Sequence, residues 1–140
     1  MKKSILVLIS VVIFAANTFA VTVPAAVQKA FDQKFPKATE VKWGKENATE
    51  YEANFKTNGV NASANFSDKG IWLETETEIP VAQLPAAVAT AIKKQFPQSV
   101  ITGADKIENS KNETHFEADL KTGSKTKEVL FNADGTIIKQ

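Results

Sequence analysis

One histidine, no cysteine and a row of alternating glutamates are what this chain of 140 residues offers for chemistry. His115 could serve as a general base. Alternation along its segment puts it opposite Phe116, on the solvent side with Glu117. No motif places a serine or a carboxylate to complete a nucleophilic set around it, so catalysis is not expected. Glu74, Glu76 and Glu78 share one face of a strand, with neighbours about 7 Å apart. Paired carboxylates serve glycoside hydrolysis or calcium binding. Both need convergence in a cleft or loop, which one straight strand does not give, and no EF-hand spacing is present. The row reads as a solvated face that also protects a sheet edge. A small-ligand or divalent-cation binder using that acidic face is the alternative.

Trp72 is the sharper candidate. Ile71 and Leu73 precede Thr75 and Thr77 on the face expected to meet the helices, so alternation places Trp72 on the opposite face with the glutamates. Leu130 and Ile137 fall on that same outer face. An exposed tryptophan with apolar neighbours and an acidic rim has the form of a binding hot spot. The expected partner-binding set is therefore Trp72, Glu74, Glu76, Leu130 and Ile137. The competing reading packs Trp72 under the 80–83 linker or against the other half of the chain. Trp43, alternating with Val41, is expected in the core, as are Tyr51, Phe55, Phe66, Phe116 and Phe131.

The elements that must position these residues occur twice. Val23 through Pro36 returns as Leu84 through Pro97, at an offset of 61 with 7 of 14 positions identical. Tyr51 through Thr57 returns as Phe116 through Thr122, at an offset of 65. Such a duplication sets architecture before any local reading. Val23, Val27, Ala30, Phe31 and Phe35, and likewise Leu84, Val88, Ala91, Ile92 and Phe96, line one face of a 3.6-residue helix. Pro24 and Pro85 suit a first helical turn, and Pro36 and Pro97 end the helices. The period then changes to 2, the mark of half-buried antiparallel strands. Asn58-Gly59, Asp68-Lys69-Gly70 and Asp134-Gly135 supply turns. Each repeat reads as one helix and four strands, the second set over about 100–108, 114–121, 125–132 and 136–139. The expected fold class is α+β: an antiparallel sheet with both helices on one side and an open face on the other.

Residues 1–20 read as a signal peptide. Lys2-Lys3 precede a 12-residue apolar run, Ile5 to Ala16, and Ala20 closes a cleavage site. The run falls short of the roughly 20 residues that span a bilayer, so no stable membrane insertion is expected after cleavage. Units at 21–80 and 81–140 would then form one compact domain, periplasmic or secreted. Without disulfides it relies on core packing. Removing Lys2 and Lys3 from the 17 basic residues leaves 15, all lysine, against 16 acidic ones. Lacking arginine and a basic patch, the chain is not expected to bind nucleic acid. Four Asn-x-Ser/Thr matches, at Asn47, Asn61, Asn65 and Asn112, read as chance.

The helix ending in Phe-Pro, the Val41-Lys42-Trp43 strand and the Asp68-to-Glu74 segment resemble the PepSY-like, beta-lactamase-inhibitor-like family of small exported bacterial proteins. The resemblance covers the mature chain as two tandem units. In the second, the Trp43 position falls near Ile107, and Trp72 becomes Ile137. The resemblance implies an inhibitor-like fold and, for function, a concave sheet offered to an enzyme or a module restraining a peptidase. No site residue carries over from the family. The expected function is a non-enzymatic binding module, without cofactor or metal, for an unidentified envelope protein.

Overall fold

The structure, a computed structural model, describes residues 21–138; the expected signal peptide at 1–20 lies outside the described residues. Helix α1 (Ala25–Lys34) buries Val27 and Phe31, and α2 (Ala86–Gln95) buries the equivalent Val88 and Ile92. Pro24 and Pro85 stand just before the helices with extended backbone, and the Pro24 carbonyl accepts from the amides of Val27 and Gln28. Both helices stop at a phenylalanine followed by proline, because helical angles would drive that residue into the pyrrolidine ring.

Seven strands follow chain order in one antiparallel sheet: β1 (Thr39–Lys45), β2 (Glu50–Thr57), β3 (Val60–Ser67), β4 (Trp72–Glu78), β5 (Val100–Asn109), β6 (Thr114–Thr122) and β7 (Lys125–Asn132). A 3₁₀ turn, Val81–Gln83, leads into α2. Of the eighth strand expected at 136–139, the described residues 136–138 form a single bridge, between Phe131 and Ile137. Its counterpart β4 is held from both sides, by β3 and β5, whereas among the described residues this last segment pairs with β7.

Register shows that both helices lie on one side. Residues directly opposite on neighbouring strands share a face. One row runs Ala62, Thr77, Lys106, Phe116, Phe131. Ala62 belongs to the core under α1 and Phe131 to the core under α2, so the row joins the two. The first core gathers Val27, Phe31, Tyr51, Ala53, Phe55, Ala62, Ala64 and Phe66; the second gathers Leu84, Val88, Ile92, Ala104, Ala118, Leu120 and Phe131. Trp43 and Phe116 pack against these cores as expected. The counterpart of Trp43 by register is Ala104, not Ile107: Trp43 faces Ala53, and Ala104 faces the equivalent Ala118.

A β-bulge corrects the expectation for Trp72. Asn65 pairs with Glu74, yet the next residue, Phe66, pairs with Trp72, leaving Leu73 as the extra residue. The insertion reverses the alternation ahead of it. Thr75 stays on the helix side as expected. Trp72 joins it there, packed on the first core, with its Nε1 donating to Thr75 Oγ1 at 2.9 Å and Lys34 Nζ 3.6 Å from its ring centroid. Ile71, expected inside, is 59% exposed. Ile137 likewise packs on the second core rather than on the outer face. Trp72 and Ile137 are thus matching core residues of the two halves.

The hairpin glycines repeat the same match. Gly70 (φ +78°) lies where a Cβ would stand 2.5 Å from the Ala26 carbonyl oxygen, and Gly135 (φ +84°) where it would stand 2.5 Å from that of Ala87. Each turn therefore closes on the first turn of its helix only with glycine.

Candidate functional site

Neighbouring strands carry the uncovered side of the sheet outward in rows. One row runs Asn54, Ser63, Glu76, Ile107, His115, Asn132. The next contains Glu78, Asp105, Glu117 and Leu130, and beyond it Asp119 faces Glu128. The acidic row seen along β4 therefore meets four further carboxylates from β5, β6 and β7. Carboxylate oxygens of Glu76, Asp105 and Glu117 lie within 4.8 Å of one another, and so do those of Glu117, Asp119 and Glu128. Glu117 belongs to both groups. It is only 4% exposed, and its Oε2 is buried without a hydrogen-bond partner.

Among the described residues no lysine or histidine forms an ion pair with this cluster. The three ion pairs among the described residues, Lys56–Glu40, Lys106–Glu108 and His115–Glu113, all lie outside the cluster. The carboxyl groups respond by holding protons. Burial first, then the charges of Glu117, Asp105, Glu74 and Glu128, pushes Glu76 up to about 8. Burial followed by Glu128, Asp105 and Asp119 raises Glu117 to about 7. Burial with Asp119 and Glu78 raises Asp105 to about 6. Glu74 and Glu128 are raised as well, again chiefly by burial.

Of the five residues expected at the site, Glu74, Glu76 and Leu130 stand on the open face. Trp72 and Ile137 do not, for the reason given by the bulge. His115 is on this face as expected, half-buried, with Nε2 3.9 Å from Glu113 and Nδ1 lacking a partner. Ile107, only 3% exposed, sits on the same face beside Glu76 and His115. Glu117 was expected on this face beside His115 but not as a site residue, and Asp105, Asp119 and Glu128 were not singled out by the sequence. A signal for them exists in the duplication: the same frame holds Gly44, Glu52, Asn54 and Ser63 at the corresponding places of the first half. Three of the four positions gain a carboxylate in the second copy.

Fold and face together define a class: an α+β protein with two helices on one side of an antiparallel sheet and an uncovered, acidic surface on the other. The chain belongs to the PepSY-like family, described as beta-lactamase-inhibitor-like, whose model matches residues 17–61 and 49–139. It is similar to a BLIP-like protein of Bacteroides fragilis, at 26% identity and a TM-score of 0.71, with 87% of each chain covered. It shares its fold with a protein of Bacteroides eggerthii described as a "putative periplasmic" protein. That match has 20% identity, a TM-score of 0.77, and 85% of this chain and 88% of the other covered. No curated protein matches it significantly. Among the described residues no helix is long and apolar enough to cross a membrane.

Proposed function

We propose that this chain is an exported binding module that acts by docking rather than by catalysis. Its open sheet face would take the basic surface of an envelope protein, such as a peptidase or other hydrolase that it restrains. The observation that carries this reading is the uncovered face itself, where Glu74, Glu76, Glu78, Asp105 and Glu128 stand around the half-buried apolar Leu130. A charged rim steers and orients a partner of opposite sign, while apolar groups at its centre supply affinity. The beta-lactamase-inhibitor-like family and the description of the Bacteroides eggerthii protein support the same reading and an envelope location.

The test is a pull-down from an envelope extract of the native host with residues 21–140 as bait. Wild type is expected to retain a partner that is released at about 0.5 M salt, where screening shortens to a few ångströms. Leu130→Ala and the charge reversal Glu74→Lys should each lose it. A partner held equally by all three proteins would refute the open face as the docking surface.

A further inference from the structure

We propose that Glu76, Asp105, Glu117, Asp119 and Glu128 form a binding site for a calcium-class divalent cation, built on four adjacent strands. Convergence, which a single strand could not supply, comes from register. β4, β5, β6 and β7 each present at least one carboxylate, and the oxygens of each group lie within 4.8 Å of one another. Oxygens around a calcium ion stand up to roughly 4.6–5.2 Å apart, so groups of this size can close on a calcium-class ion. The donors are all hard carboxylate oxygens, with no thiolate in the chain and no imidazole in either group, which suits calcium and not zinc.

A second observation points to a ligand. The Glu117 carboxylate, shared by both groups and 4% exposed, has a buried Oε2 with no hydrogen-bond partner, and a lone buried carboxylate oxygen carries a large desolvation cost. The duplication adds a third. The same backbone positions in the first half carry Gly44, Glu52, Asn54 and Ser63, so the cluster is an addition to the frame and not a requirement of it. The site lies within the proposed docking face, but its test does not depend on any protein partner.

Residues 21–140, freed of metal with a chelator, would be titrated with calcium chloride by calorimetry and followed by melting temperature. Sodium chloride at matched ionic strength and magnesium chloride serve as controls. Half-saturation is expected at roughly 0.1–1 mM, the range of extracellular calcium modules, with a melting-temperature rise of a few degrees at saturation. Glu117→Gln and Asp105→Asn should each weaken uptake about tenfold or more, and Glu52→Gln, the first-half counterpart of Glu117, should leave it unchanged. Absence of uptake and of any shift beyond that of sodium chloride would overturn the site. So would a stronger response to magnesium than to calcium, or uptake that survives both cluster variants. Circular dichroism of each variant separates loss of the site from loss of the fold.

Discussion

Asp105, Asp119 and Glu128 stand where the first half of the sheet has Gly44, Asn54 and Ser63, while Phe131, Ala118 and Val88 stand where it has Phe66, Ala53 and Val27. The inward positions of the two halves have been held to one pattern and the outward ones have not. Inward, a side chain is constrained by close packing against a helix on one side and strands on the other. Even there the halves differ in filling. The first core is aromatic, with Phe31 meeting Trp43, Phe55 and Phe66 at 5.1–6.2 Å between ring centroids. The second relies on Leu84, Ile92 and Leu120. Outward, no helix among the described residues covers the strands, so the second half and the joining strand β4 could accumulate carboxylates that the corresponding first-half positions lack.

The largest expected effects would test the inward equivalence. Phe66→Ala and Phe131→Ala, both 0% exposed, should each cost about 3–5 kcal/mol in urea unfolding. A much smaller loss for one would show that the two cores are not equivalent. Gly70→Ala and Gly135→Ala should each cost about 2–4 kcal/mol, since the added Cβ meets a helix carbonyl and the backbone stays left-handed. Trp72→Ala should lower stability by about 2 kcal/mol, because the ring packs on the first core. An unchanged melting temperature would return Trp72 to the surface.

The smallest effects address the outward difference. Without divalent cations, Glu117→Gln should raise stability by up to about 1 kcal/mol by removing a buried like charge, while Glu52→Gln leaves it unchanged. Stability of the cation-free protein should also fall between about pH 5 and pH 8. Glu76, Glu117 and Asp105 hold protons in the folded state up to about 8, 7 and 6. The unfolded chain releases them near the ordinary carboxylate value. The folded state thus binds more protons across this window, and raising the pH works against it. The groups facing them are Glu74 and Glu78 on β4, His115 and Asp119 on β6, and Glu128 on β7. A urea midpoint that rises from pH 5 to pH 8 would contradict this charge pattern.

Much of the frame was legible beforehand because it rests on local periodicity. The five-residue helix faces, the proline stops, the turn glycines and the alternation of β2 and β3 each follow from a few neighbouring residues, and the duplication repeats them. Leu130 and Glu76 were placed correctly for the same reason. Trp72 was not, because one extra residue at Leu73 reverses the alternation, and nothing in the local composition marks that insertion. Ile137 was misplaced with it, as its partner in the repeat.

By itself, then, the sequence determined the element types, their duplicated order, the two apolar faces and the acidic row along β4, since all of these are set by spacing along the chain. Tertiary structure alone decided which carboxylates meet. Glu76 and Glu128 are 52 positions apart in sequence. Only the register of four antiparallel strands brings both against Glu117, and register depends on hydrogen bonding between strands and on bulges, both of which are non-local.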